Sequence, residues 1–137
     1  MNAHQETVTM DLKVKLSTLW IVVMFNMAFA DILSFMLEWT TGHTPEVQVS
    51  QGVMLAFAVL LEIPIAMILL SRVLQYRANR WANIIAAAIT IVFVIGGGST
   101  YLHYIFFATV EVVCMLLIVW YAWKWPNPDS SPQADTV

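Results

Sequence analysis

Residues 60–80 read "LLEIPIAMILLSRVLQYRANR". An apolar run, broken only by Glu62 and Pro64, passes into a segment carrying Arg72, Arg77 and Arg80. Apolar sequence then resumes at Trp81 and continues to Ile95. Two greasy runs joined by a short basic segment are the pattern of two membrane spans with a charged hairpin on one side of the bilayer.

The rest of the chain extends this pattern. Of its 137 residues, 60% are hydrophobic and 11% charged, whereas soluble domains run about 45–50% apolar and about 25% charged. One span takes roughly 20 apolar residues. The sequence predicts spans over residues 16–37, 52–70, 81–95 and 101–123, an all-α four-helix transmembrane bundle covering residues 13–125. Residues 1–12 read as a polar, frayed tail, and residues 126–137, rich in Pro, Ser and Asp, as a disordered one. Lys13, Lys15, the apolar run that follows and Ala28-Phe29-Ala30 imitate a cleavable signal peptide. The apolar sequence resumes after Asp31, however, which favours a retained span.

Charge placement sets the expected topology. The six cationic residues are Lys13, Lys15, Arg72, Arg77, Arg80 and Lys124, and all fall on one side of a four-span arrangement. Cations flanking spans mark the cytoplasmic side, so both termini are expected there. Trp20, Trp39, Trp81, Trp120, Trp123 and Trp125 lie near span ends, as an interfacial belt requires. The three arginines have a plain reading as topology determinants and a functional one as contacts to anionic lipid headgroups. A net charge of −3 argues against nucleic acid as a partner.

Ionisable groups inside a membrane point to function more often than surface ones do. No Lys or Arg lies within a span, but Asp31, Glu62 and Glu111 do. At about 1.5 Å of rise per residue, Glu62, Glu111 and Asn26 share a middle slab, with Asp31 nearer the opposite face. Helical angle places Tyr104 and Glu111 about 20° apart, and Asn83, Ala87, Thr90, Val94 and Gly97 on one small, polar seam. Such acids are carried protonated, held by donors such as Asn26, Asn83, Tyr104 or Thr90, or kept for a cationic ligand. Pro64 removes the helical partner of the Leu60 carbonyl, which predicts a kink beside Glu62.

The expectation is therefore a proton- or cation-accepting cavity with Glu62 and Glu111 as its core pair. Asp31 would guard its mouth, while Asn26, Asn83 and Tyr104 orient the carboxyls. A small transporter or ligand-binding protein would use such a cavity, with the bilayer, a small cationic or neutral ligand and a second copy as partners. The alternative is a structural subunit of a membrane complex, whose acids are neutral, hydrogen-bonded glue between helices. An enzyme is less favoured, because no His, Ser or Cys stands beside these acids at a catalytic spacing. His43 and His103, with Glu38 or Glu46, lack the spacing of a metal motif, and the sequence carries no cofactor signature. Cys114 reads as a packing residue, and Gly96-Gly97-Gly98-Ser99 as a tight turn rather than a phosphate loop.

Three stretches, "KLSTLW", "EIPIAMILLSRVLQYRANRWANII" and "IVWYAW", resemble a family of small, uncharacterised bacterial integral membrane proteins, a domain of unknown function. The resemblance implies four spans and a bacterial inner-membrane setting, and carries no site residues. DoxX-like membrane proteins are similar in size and helix number. Small multidrug exporters share four helices and a membrane Glu, but there the acid lies in the first helix.

Overall fold

Neither proline nor glycine interrupts residues 3–41, and in the computed structural model they form one unbroken helix, α1 (Ala3–Thr41). The structure describes residues 3–42 and 50–127. Gly42 ends α1 with φ of 69°, the left-handed conformation that stops a helix at little steric cost. Three more helices follow: α2 (Gln51–Val73), α3 (Tyr76–Gly96) and α4 (Leu102–Trp123). All four are long and apolar enough to cross a membrane.

The helix boundaries correct two expectations. Residues 3–12, read as a frayed tail, are helical and continue the first span. Leu12 and Leu16 explain this, since both pack into the core cluster and tie the helix start to the bundle. At 39 residues α1 is roughly 58 Å long, longer than a bilayer core is thick, so part of it projects beyond the membrane. The basic hairpin loop shrinks to Leu74 and Gln75, because α2 runs to Val73 and α3 starts at Tyr76. Arg72, Arg77 and Arg80 thus stand on helices. The C-terminal tail from residue 128 onward lies outside the described residues.

Short links make successive helices antiparallel, and contacts between them place α1, α2, α3 and α4 in order around a ring. One end carries both termini and the α2–α3 turn; this is the terminal half. The other, distal, half carries the α1–α2 link and the α3–α4 turn. Contacts at both ends agree with this arrangement. Ser17 of α1 meets Ile68 of α2 at the terminal end, whereas Ser34 of α1 meets His103 of α4 at the distal end. At the distal turn, a Cβ on Gly98 would come within 3.0 Å of the Ile95 carbonyl oxygen, so only glycine fits without a shift.

Packing differs along α2. Its buried residues are Pro64, Met67 and Ser71, all in the terminal half. From Gln51 to Ile63 no residue is buried, so the distal half of the helix stands away from the bundle's centre. Pro64, itself fully buried, sits at the level where the packed part begins.

Candidate functional site

The space left by the distal half of α2 is a chamber of about 550 Å³ that all four helices line. Met27, Ala30 and Asp31 face it from α1, and Met54, Phe57, Ala58 and Leu61 from α2. Those α2 positions follow the i, i+3, i+4, i+7 rule of one helix face. Phe93 and Val94 close it from α3, while Tyr104 and Glu111 come from α4. Phe57 and Phe93 form a tilted ring pair across the α2–α3 gap, with centroids 5.8 Å apart.

Glu111 is the chemical centre of this chamber. It is 3% exposed, and its Oε1 is buried without a hydrogen-bond partner. A buried polar atom left unpaired is destabilising by about 1–3 kcal/mol. Asp31 lies at the chamber's margin, exposed on α1 and within electrostatic range of Glu111. Tyr104 lines the same wall about two turns along α4, its hydroxyl donating to the Val94 carbonyl at 3.2 Å. Among the described residues, no Lys, Arg or His lines the chamber.

Glu62 does not join this group. It is exposed, lines no part of the chamber, and lies about 100° around α2 from Leu61. The expected Glu62–Glu111 pair therefore does not form, because Glu62 stands on an exposed side of α2 while Glu111 is buried on α4. Asn26, half-buried, turns its amide back to the Val22 carbonyl of its own helix at 2.8 Å. It orients no carboxyl. Of the three expected acids, Asp31 and Glu111 are brought together, and Tyr104 with them.

Asn83 belongs to a different constellation in the terminal half. Its Oδ1 accepts from the Trp20 indole at 2.8 Å and from the Ser71 hydroxyl at 3.1 Å. Its Nδ2 donates to the Asn79 carbonyl and to Asn79 Oδ1, at 2.9 and 2.6 Å. Asn79 Nδ2 in turn donates to the Ser71 carbonyl at 2.6 Å. Beside it, Ser17 donates to the Ile68 carbonyl at 2.8 Å and accepts from Arg72 Nε at 3.0 Å. Ser17, Trp20, Ser71, Asn79 and Asn83 are wholly buried, and each side chain is paired. These hydrogen bonds tie α1, α2 and α3 together.

The network includes residues that sequence reading passed over: Ser17, Trp20, Ser71 and Asn79. The signal for Asn79 was available, since Asn79 and Asn83 stand four apart on the seam that continues through Ala87, Thr90 and Val94. Trp20 was read as interfacial because it lies near a span end; its indole is instead fully buried. The cations stay at the terminal rim. Arg80 lies over the Trp123 ring at 5.1 Å and Lys124 over Trp120 at 3.9 Å, while Arg77 is exposed. At the distal rim Ser34 Oγ lies 3.1 Å from His103 Nε2, and His43 and Glu46 fall outside the described residues.

Comparison with known proteins reaches the chain as a whole. The model of a family of unknown function, DUF6326, matches residues 7–131, in keeping with the resemblance to an uncharacterised family. No curated protein and no solved structure matches the chain.

Proposed function

The chain belongs to DUF6326, and from its site we propose a small-ligand-binding membrane protein, used for transport, whose distal chamber accepts a proton or a cation at Glu111. The observation that carries this reading is a buried carboxyl, its Oε1 without a hydrogen-bond partner, on a residue that lines a chamber large enough for a small molecule. Asp31 at the margin supplies a second carboxyl along the way in, and Tyr104 fixes one wall by its bond to Val94. The cationic rim at the terminal end supports a cytoplasmic position for both termini in a bacterial inner membrane, with the chamber in the opposite half.

The alternative, a structural subunit with polar glue between its helices, has its own support in the paired network around Asn83. That network accounts for the terminal half alone. It leaves Glu111 unexplained, since glue is a polar group with a partner.

The test is infrared difference spectroscopy on protein in lipid nanodiscs, cycled between acid and alkaline buffer. A titrating carboxyl C=O band should appear, vanish in Glu111→Gln and persist in Glu62→Gln. A spectrum unaltered by Glu111→Gln sinks the reading.

A further inference from the structure

The chamber's walls say more about its occupant than that it is small. Among the described residues, Asp31 and Glu111 are the chargeable carboxyls that line it, and no basic side chain balances them. Anions are therefore disfavoured. A hard divalent ion is a poor fit too, since calcium takes six to eight oxygen ligands. Here the side-chain oxygens come from two carboxyls and a Tyr104 hydroxyl whose proton is already given to Val94. A sugar or other polyhydroxy compound would lose many hydrogen bonds against Met27, Met54, Phe57 and Phe93.

What those walls suit is an apolar body bearing one positive charge. An ammonium N–H would supply a charge-assisted donor to the Glu111 carboxyl, and such hydrogen bonds are stronger than neutral ones. Aromatic faces such as those of Phe57 and Phe93 also attract a nearby cation. A volume of about 550 Å³ holds a ligand of drug-like size.

A second cavity suggests how such a molecule would arrive. A groove of about 350 Å³ lies between α3 and α4, and shares Val94 and Tyr104 with the chamber. Its rim includes Ile95, Ile105 and Val113, all exposed on the apolar outer surface that faces lipid. Val94 and Tyr104, joined by the Tyr104 hydroxyl's bond to the Val94 carbonyl, belong to the walls of both that groove and Glu111's chamber. An amphiphilic amine already dissolved in the bilayer could pass there without entering water.

We infer that the chamber binds a lipophilic amine, its ammonium group on Glu111 and its apolar part against Met54, Phe57 and Phe93. This rests on the reading of Glu111 as an accepting group, and adds the class of molecule that it accepts.

The experiment uses the full chain in nanodiscs, with empty discs subtracted, and equilibrium dialysis of three probes. These are 3-phenylpropylamine, the neutral 3-phenylpropanol of nearly the same shape, and tetramethylammonium, which has the charge without the apolar body. The amine should bind saturably, with the alcohol and tetramethylammonium each at least about tenfold weaker. Glu111→Gln, which keeps the shape, should lower amine affinity by about tenfold or more, and Asp31→Asn by a smaller factor. Alcohol binding as tight as the amine's overturns the ligand class but leaves an occupied chamber. Failure of all three probes, with the Glu111 infrared band present, likewise overturns the class alone. Failure of the probes together with absence of that band overturns both the class and the function beneath it.

Discussion

The Asn83 network in the terminal half and the Glu111 chamber in the distal half treat buried polar side chains in opposite ways, although at the terminal rim Arg80 Nε and Trp125 Nε1 are also buried without a hydrogen-bond partner. In the terminal half, Asn83, Asn79, Ser71 and Trp20 close a network in which every side chain is matched. In the distal half, Glu111 is nearly as deeply buried, yet its Oε1 has no hydrogen-bond partner. Composition does not separate these cases, since both regions mix polar residues with apolar helix faces. Packing does. Where α2 is held against its neighbours by Met67 and Ser71, the side chains of the Asn83 network find partners within hydrogen-bonding distance. Where α2 stands away, the same kind of group is left for something else to satisfy. A polar residue in a membrane is thus glue or site according to whether a second helix is close enough to answer it.

The sharpest way to break this contrast is to delete one polar centre from each half. Asn83→Leu strands the Trp20 indole, the Ser71 hydroxyl and the Asn79 amide oxygen at once. Interhelical hydrogen bonds in membranes average near 0.6 kcal/mol, but leaving several buried groups unpaired adds to that. We expect a loss of about 2–4 kcal/mol, seen as an earlier unfolding midpoint in denaturant titration of detergent-solubilised protein. The corresponding change in the distal half, Glu111→Leu, should have the opposite sign. It removes an unpaired carboxyl and fills the space with a side chain of similar volume, so a gain of about 1–2 kcal/mol follows in the same titration. Two losses of equal size would mean that Glu111 is structural after all, and the contrast would collapse.

This contrast was only partly legible in the sequence. The spans, their number and the clustering of cations at one end follow from hydropathy and charge, because a bilayer imposes length and polarity on each segment separately. The polar seam through Asn83, Ala87, Thr90 and Val94 was visible for a similar reason, as helical periodicity is a property of one helix. Helical angle was useful as well, since it placed Glu111 and Tyr104 correctly on one stripe; the other guide was depth along the helix. It misled for Glu62. Equal depth says nothing about azimuth relative to neighbours, and Glu62 stands on an exposed side of α2 while Glu111 is buried on α4. Asn26 failed for another reason, because an amide on a helix can always fall back on the carbonyl four residues earlier. Which helices adjoin, and how tightly, depends on all four at once, and no single segment encodes it. The early extension of α1 was missed similarly, since Leu12 earns its helical place only by packing against the assembled core.

Glu62 gives the contrast its finest test, because it is a membrane carboxyl that belongs to neither half's interior. It is exposed between Leu61, which lines the chamber, and Ile63, which packs against the core cluster. Depth and charge are similar to those of Glu111, but the local geometry offers neither a cavity nor a paired network. If function follows from enclosure by neighbouring helices, Glu62→Gln should shift stability by less than about 0.5 kcal/mol, as surface substitutions do. Amine affinity should change by less than about twofold, an energy of roughly 0.4 kcal/mol. Both are measured on the preparations already described, with Glu111→Gln as the comparison. A tenfold loss of affinity in Glu62→Gln would mean that α2 rotates to bring this carboxyl inside when the chamber fills. The acid would then belong to the site in a second conformation, and the division between halves would describe one state of the protein rather than its architecture.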